Sequence, residues 1–222
     1  MPNEWLRKHK KDHFHSLAKD RGYRSRAAFK LKQINQKYHF IRRGDSVLDL
    51  GAAPGGWLQA VHQIVGGGGY VLGLDKQPID RLPFENVETA IIDLTDKEAL
   101  TLVRTICGLE KFDAVTSDLA QNVSGVWEVD HARQINLARC ALNIAREVLK
   151  NSGNLLVKVF QGPELSDFRN EMKSYFRILR IVKPPASRSE SAELYFLGLS
   201  FRDQLEESRS DNSVRSFCSE PV

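Results

Sequence analysis

The chain has 222 residues, of which 41% are hydrophobic and 27% are charged, so it is long enough for one globular domain with a sizeable core and short for two. No apolar run reaches the length of a membrane span and the first residues are basic and polar, which excludes an integral membrane protein and indicates a cytoplasmic one. The three cysteines, Cys107, Cys140 and Cys218, lack metal-ligand spacing and indicate reduced, structural thiols.

The net charge of +4 is unevenly distributed. Residues 1–43 contain 13 lysines and arginines against three acidic residues, a net charge of +10, which leaves −6 for the remainder. Such a segment favours a polyanionic partner such as RNA or DNA, although a solvated basic helix would have the same composition. Both interpretations stay open on this segment alone.

The first elements along the chain are helical. Residues 1–21 predict a polar helix or an arm that becomes ordered on its partner. The stretch Arg24–Ile34 predicts a helix that Ser25 caps, with Lys30 leaving on a different side from the apolar face.

Strands and helices then alternate, which predicts an α/β fold with a parallel sheet covered on both faces. The predicted strands are 46–50, 70–75, 87–93, 112–118, 153–160, 177–182 and 193–201, and the predicted helices are 57–65, 96–106, 130–149 and 164–176. The last two strands have no helix between them, so we expect them to form an antiparallel hairpin. The polar residues 203–222 are expected to be disordered.

A glycine-rich turn lies between the first strand and the next helix, in the stretch Val47–Trp57 (VLDLGAAPGGW). Such a turn lets a ligand approach the backbone, and the helix start supplies free N–H groups, as in nucleotide-type sites. No Lys-Ser or Lys-Thr follows the glycines, which excludes a triphosphate P-loop, and their spacing fits a dinucleotide fingerprint poorly. Asp49 before the turn suits a positively charged ligand, so S-adenosylmethionine, which has an ammonium, a sulfonium and no phosphate, is the leading candidate.

Four aspartates, Asp49, Asp75, Asp93 and Asp118, close successive predicted strands, where the ligands of open parallel sheets bind. Asp75 lies 24 residues after Gly51, which suits a carboxylate that binds both ribose hydroxyls of an adenosine. Asp93 is placed to accept from the adenine amino group or from a neighbouring backbone N–H. A single strand-end aspartate is more often a cap or turn former, but four beside a glycine turn favour a binding site.

Lys158 is a charge within the apolar run Leu155–Phe160, which is costly unless the lysine is paired or functional. Asp118, at the end of the neighbouring strand, is the expected partner. A structural ion pair and a lysine presented at a catalytic edge both fit, and the surrounding residues favour the second. Glu193 begins the last strand and could complete the group.

Five stretches, in this order, resemble the FtsJ/RrmJ family of RNA 2′-O-ribose methyltransferases over about residues 20–201. They are Arg24–Leu31 (RSRAAFKL), Asp49–Trp57 (DLGAAPGGW), Ser117–Gly125 (SDLAQNVSG), Leu156–Phe160 (LVKVF) and Ser189–Phe196 (SESAELYF). The resemblance implies a Rossmann-like methyltransferase fold with a seven-stranded, mostly parallel sheet. It implies one domain over residues 44–202, with residues 1–43 as an RNA-contacting part of it.

The resemblance also implies functional residues. The family's Lys-Asp-Lys-Glu tetrad falls on Lys30, Asp118, Lys158 and Glu193. Its cofactor contacts fall on Gly55, Trp57, Asp75, Asp93 and Asp118, which join Asp49 and Gly51 of the turn. One departure is Gln121, where the bacterial rRNA enzyme has a proline; it adjoins the substrate pocket and bears on which RNA is accepted.

Ribose methylation gives the tetrad a chemical purpose, because a 2′ hydroxyl is a poor nucleophile at neutral pH. Lys158 can accept its proton if neutral, or stabilise developing alkoxide if charged. By the family resemblance, Asp118 and Glu193 orient Lys158 while Lys30 adds positive potential, and no step requires a metal ion.

The expected substrate is a uridine in large-subunit ribosomal RNA, bound by a cytoplasmic monomer. A tRNA anticodon-loop nucleotide is the alternative. A non-catalytic RNA-binding or ribosome-assembly protein is disfavoured by the intact tetrad, and a small-molecule methyltransferase by the cationic N-terminal segment.

Overall fold

The computed structural model describes residues 13–107, 111–121, 124–188 and 191–203. The predicted arm before residue 13 and the predicted tail after residue 203 lie outside the described residues. The helices are α1 (which includes residues 13–20), α2 (Ala27–Tyr38), α3 (Gly56–Val65), α4 (Ala99–Cys107), α5 (Trp127–Val148) and α6 (Leu165–Tyr175). The strands are β1 (Ser46–Leu50), β2 (Tyr70–Asp75), β3 (Val87–Ile91), β4 (Phe112–Ser117), β5 (Leu149–Phe160), β6 (Phe176–Val182) and β7 (Glu193–Phe201).

The seven described strands form one sheet in the order β3-β2-β1-β4-β5-β7-β6. Neighbours from β3 to β5 are parallel, whereas β7 is antiparallel to both β5 and β6. The predicted mostly parallel sheet and C-terminal hairpin are confirmed. Because β7 lies between β5 and β6, its first residue, Glu193, sits opposite Phe160 at the carboxyl end of β5.

Helices cover both faces of the sheet, and alternate strand residues supply two apolar clusters. Leu48 and Leu50 of β1 pack in one cluster with residues of α4, α5 and α6. Val47, which precedes Leu48 and faces the other way, packs in the second cluster with residues of α2 and α3. This is the period-two alternation expected of a strand that is buried on both faces. None of the helices in the described ranges is both long and apolar enough to cross a membrane.

One detail of α2 differs from the prediction. Ser25 does not cap the helix: the N-cap is Arg26, without a side-chain cap bond, and Ser25 packs against Gly56, where an added Cβ would lie 2.2 Å from its Oγ. Lys30, which was predicted to leave on a different side from the apolar face, is only 7% exposed. A lysine tolerates this position because its ammonium is paired, and the partner is Glu193.

Candidate active site

The glycine turn after β1 folds back on the sheet. The N–H groups of Gly51 and Ala52 both donate to the carbonyl of Leu74, at 2.8 and 3.2 Å. Gly51 has a φ of +79°, and a Cβ there would lie 2.9 Å from the backbone nitrogen of Leu119. Only glycine suits this position, because the turn touches the segment that follows β4 and the backbone is left-handed.

Arg24, in the segment before α2, holds the turn from outside. Its guanidinium donates to the carbonyl oxygens of Pro54, Asp80 and Arg81, at 3.1, 2.6 and 3.1 Å. One planar fork therefore ties the glycine turn to the loop that follows β2, which fixes the shape of the edge where a ligand would enter.

A cavity of about 160 Å³ opens at the carboxyl ends of the strands. Four of the predicted cofactor residues line it: Gly51, Asp75, Asp93 and Asp118. A larger groove of about 610 Å³, between the loop after β3 and α5, shares part of this lining. The strand-end aspartates that are far apart in sequence therefore face one space, as the topology of a parallel sheet predicts.

The acidic residues of the cavity are held in fixed orientations. Asp75 accepts the N–H groups of Ala53 and Gln77, at 2.9 and 2.8 Å, on different oxygens. Asp93 accepts the hydroxyl and the N–H of Thr95, both on Oδ1. These two bonds lower the pKa of Asp93, the hydroxyl more than the N–H, so the group is a carboxylate.

The other three predicted cofactor residues lie outside the lining of this cavity. Gly55 is the N-cap of α3, with a φ of +106°. Trp57 is buried; its indole N–H donates to the carbonyl of Ala27 at 2.8 Å and its ring packs on Tyr195. Contacts of these residues with a cofactor stay predictions.

Asp49 is the third, and it lies fully buried within β1. Oδ1 accepts the hydroxyl of Thr116 at 2.7 Å, while Oδ2 has no hydrogen-bond partner among the described residues. Burial raises its pKa to about 7; the bond from Thr116 opposes the rise, and Asp118 and Asp75 add to it. Asp49 is therefore partly protonated at neutral pH, unlike the simple carboxylate that its place before the turn suggested.

The four tetrad residues form two ion pairs. Lys158, only 5% exposed, donates to the carbonyl oxygen of Asp118 at 2.7 Å and lies 3.2 Å from its Oδ1. Lys30 Nζ lies 2.5 Å from Glu193 Oε1, which also accepts the hydroxyl of Ser187 at 3.0 Å. The expected partnership of Lys158 and Asp118 is present, and the two cations and two carboxylates cancel in formal charge.

Tyr195 joins the two pairs, and the sequence reasoning missed it. Its buried hydroxyl lies 3.0 Å from Asp118 Oδ1, 3.3 Å from Glu193 Oε1 and 3.4 Å from Lys30 Nζ. One hydroxyl proton is thus placed between two carboxylates. Burial, Asp118 and Glu193 all raise the pKa of Tyr195 well above its usual value, so the phenol stays neutral. The period of two from Glu193, which puts residue 195 on the same sheet face, was the available signal.

The loop after Asp118 is anchored to α5 by polar residues that sequence reasoning also missed. Asp130 accepts the N–H and hydroxyl of Ser124 on one oxygen and the N–H of Gly125 on the other. Gln134, one turn along, donates to the carbonyls of Leu119 and Lys158, at 3.0 and 3.2 Å. Polar residues four apart among the apolar positions of a helix were the signal. Gln121 donates to the carbonyl of Asp130 at 3.0 Å and also lines the larger groove.

Comparison with known proteins adds independent information. Residues 23–201 match the FtsJ-like methyltransferase family. Ribosomal RNA large subunit methyltransferase E of Methanothrix thermoacetophila is 50% identical over 188 residues, which cover 85% of this chain and 72% of that protein. The protein of the same name from Methanocaldococcus jannaschii is 46% identical over 195 residues, covering 87% of this chain and 80% of that one.

Two solved structures show the same fold. A Plasmodium falciparum protein assigned as a ribosomal RNA methyltransferase superposes with a TM-score of 0.70 at 24% identity, covering 81% of this chain and 98% of that one. Human methyltransferase-like protein 13, in complex with SAH, gives a TM-score of 0.57 at 12% identity, covering 87% and 93%. With the family match over most of its length, the chain belongs to the FtsJ-like methyltransferase family and has the Rossmann-like methyltransferase fold.

Proposed function

We propose that this enzyme transfers the methyl group of S-adenosylmethionine to a ribose 2′ hydroxyl of RNA, and that the target is a uridine of large-subunit ribosomal RNA. The observation that carries the proposal is the double position of Asp118. This residue lines the cavity beside the glycine turn and also binds Lys158. A methyl donor in that cavity and an acceptor at Lys158 would therefore meet, as a direct transfer between them requires.

The cavity suits the donor chemically. Asp75 is a fixed carboxylate that can accept from the two ribose hydroxyls of an adenosine, and Asp93 can accept from an adenine amino group. Among the described residues, no donor is bonded to the second oxygen of Asp93. S-adenosylmethionine, when bound, supplies an electrophilic methyl group on a sulfonium. The partly protonated Asp49 would ionise more readily beside such a cation.

The tetrad acts on the acceptor. As the 2′ oxygen forms its bond to the methyl carbon and the carbon–sulfur bond breaks, the hydroxyl proton must leave. A neutral Lys158 takes that proton on Nζ, whereas a charged Lys158 stabilises the developing oxyanion while the proton leaves to solvent. Asp118 fixes the position of Nζ by two contacts. Lys30, held by Glu193, provides the second positive charge near the oxygen.

The charge distribution supports RNA as the acceptor. In addition to the buried Lys30, the segment of residues 13–43 carries exposed cations, among them Lys19, Lys37, Arg42 and Arg43. Cations spread along a surface bind phosphates without reading sequence, so the position of the target would depend on RNA shape and on unstacked bases. The names of the relatives from Methanothrix thermoacetophila and Methanocaldococcus jannaschii support ribosomal RNA over tRNA.

The test is methyl transfer from labelled S-adenosylmethionine to three separated substrates: large ribosomal subunits, protein-free ribosomal RNA and tRNA. We expect label in the ribosomal substrates, on a nucleotide whose 3′ phosphodiester resists alkaline hydrolysis because its 2′ oxygen is methylated. Mapping that nucleotide identifies the target. Label found in tRNA alone would contradict the ribosomal assignment, and label on a base would contradict ribose methylation.

A further inference from the structure

An exposed aromatic surface lies beside the tetrad and has no part in the chemistry proposed above. Trp127, the first residue of α5, is 46% exposed. Its ring is nearly parallel to that of Phe160, with an interplanar angle of 14° and centroids 6.4 Å apart. We call Trp127 and Phe160 the aromatic platform.

The strand register places this platform next to the reacting groups. Phe160 is two residues beyond Lys158 on β5, so both side chains lie on one sheet face, about 7 Å apart along the strand. Glu193 and Tyr195 are their cross-strand partners on β7. Two adjacent cross-strand pairs therefore lie side by side on this face, Lys158 with Tyr195 and Phe160 with Glu193. Of these four residues, all but Phe160 belong to the tetrad or bond to it.

Trp127 reaches these four residues from the other side of the sheet. Helix α5 packs in the cluster of the opposite face, yet the Trp127 ring contacts Phe160. The tryptophan therefore crosses the carboxyl edge of the sheet, where the active site opens. A ribose with its 2′ oxygen at Lys158 has its own base, or that of an adjacent nucleotide, within about one ring width of this surface.

The platform is held in place before any ligand arrives. One helical turn beyond Trp127, His131 is nearly parallel to it, with centroids 6.4 Å apart, and is fixed by accepting the N–H of Glu164 on Nε2 at 3.1 Å. The hydrogen bonds that Asp130 accepts from Ser124 and Gly125 fix the start of the helix. A rigid exposed ring offers a large contact area with little entropy left to lose on binding.

We propose that Trp127, supported by Phe160, stacks on an unpaired nucleobase of the RNA substrate and thereby sets the target ribose at Lys158. This inference rests on the proposed function. A nucleobase suits the surface better than a protein partner because the platform adjoins Lys158, where the ribose would lie, and because the exposed cation Arg188, in the loop that leads to Glu193, can meet a phosphate. Stacking accepts every base, so this surface selects nucleotides that are splayed out of a helix.

The test compares two single strands of about 12 nucleotides, an oligouridylate and an abasic ribose-phosphate of the same length. Loss of the indole in Trp127→Ala should weaken binding of the oligouridylate roughly 5- to 100-fold and leave binding of the abasic strand unchanged. Trp127→Phe should keep most of the affinity. Leu102→Ala, which removes a side chain on α4 that is 44% exposed, is the matched control and should change neither.

Several outcomes would overturn the inference. An equal loss on both strands would mean that Trp127 contributes through general structure, and no loss on either would mean that it does not meet RNA. Unchanged RNA affinity with lost self-association in sedimentation equilibrium would assign the surface to a second copy of the chain. Failure of the proposed function looks different: the parent protein would then methylate no RNA. If the parent does methylate RNA and Trp127→Ala does so with unchanged KM, only the stacking inference fails.

Discussion

Lys158 and Tyr195 lie directly opposite each other on the antiparallel strands β5 and β7, and both are bonded to Asp118. Lys158 binds the carbonyl and side chain of that residue, and Tyr195 donates to the side chain. Asp118 follows β4, so one residue draws together the ends of three strands. The position of Lys158, the lysine that we propose meets the substrate, is therefore set by the sheet itself.

Replacement of Lys158 tests the chemistry. In Lys158→Ala, the rate of methyl transfer should fall by at least about 100-fold. The variant lacks either the group that accepts the proton of the 2′ hydroxyl or the cation that stabilises the developing oxyanion. Cofactor affinity should change little, since Lys158 does not line the cavity. The control is Lys150→Ala, on the same strand, which removes an exposed lysine paired with Asp113 at 2.8 Å. Single-turnover rates and calorimetric titration measure the two quantities, and normal turnover of Lys158→Ala would contradict the mechanism.

Replacement of Tyr195 tests the link between the two ion pairs. Tyr195→Phe should lower the free energy of unfolding by about 1–3 kcal/mol, because the partly buried carboxylates of Asp118 and Glu193 lose a donor. Methyl transfer should slow less than in Lys158→Ala, since both ion pairs remain. Tyr70→Phe, which removes a hydroxyl bonded to Glu88 at the surface, is the control for denaturant unfolding. Equal stability of Tyr195→Phe and its parent would show that the hydrogen bonds of this hydroxyl do not stabilise the fold.

The buried carboxyl of Asp49 predicts a pH dependence of stability. Its pKa is about 7 in the folded protein, against 3.8 for the ordinary group, so the folded state binds more protons between these values. Stability from this group is therefore lost as the pH rises from about 4 to 7, and the loss is complete above 7. Asn keeps an acceptor for Thr116 and does not ionise. Between pH 5 and pH 8, the unfolding free energy of Asp49→Asn should gain about 2–3 kcal/mol relative to the parent. The measurement is the unfolding free energy from urea titrations of both proteins without cofactor. If that free energy changes with pH in the same way for Asp49→Asn and for the parent, the prediction is wrong.

Arg24 predicts an effect on cofactor binding from outside the cavity. Arg24→Lys keeps the charge but cannot reach three carbonyl oxygens with one planar group, so the glycine turn and the loop after β2 should loosen. We expect affinity for S-adenosylhomocysteine to fall about tenfold, which corresponds to one or two hydrogen bonds. Arg104→Lys, at a surface ion pair with Glu147, is the control. Unchanged affinity in calorimetry would show that the turn keeps its shape without Arg24.

The basic N-terminal segment predicts salt-dependent RNA binding. Replacing Arg7, Lys8, Lys10 and Lys11 with glutamine removes four charges, and should make the negative slope of log K against log salt shallower by up to about 3 on single-stranded RNA. Binding should weaken similarly on RNAs of different sequence, because phosphate contacts carry no base information. An unaltered slope would mean that these four cations do not contact phosphates of the RNA.

Much of the fold was predictable because the local periodicity of apolar residues indicates each strand and helix. Alternating strands and helices indicated the parallel sheet, and the missing helix between the last strands indicated their hairpin. The place of β7 between β5 and β6 was not predictable, since strand order leaves no periodic signal in one chain. The same limit applies to the pairing of Lys30: its partner, Glu193, is 163 positions away, so helix periodicity could not show that this lysine is buried in an ion pair.

The tetrad was predictable from a resemblance, and the physical state of the residues around it was not. Asp49 was expected to be a carboxylate because it precedes a turn, but full burial raises its pKa and favours the acid. Tyr195 looked like one more aromatic residue of an apolar strand. Only the register that sets it opposite Lys158 shows that its hydroxyl meets both carboxylates.

The late position of β7 along the chain has a consequence for synthesis. Glu193 and Tyr195 emerge from the ribosome after almost every other part of the domain, yet β7 must insert between β5 and an edge strand that is already made. Contacts between such distant positions form slowly. Until then Lys30 has no counter-charge and Asp118 lacks one donor. Under the proposed mechanism, a nascent chain exposes its cationic segment before its tetrad is complete, and catalytic competence coincides with completion of the sheet.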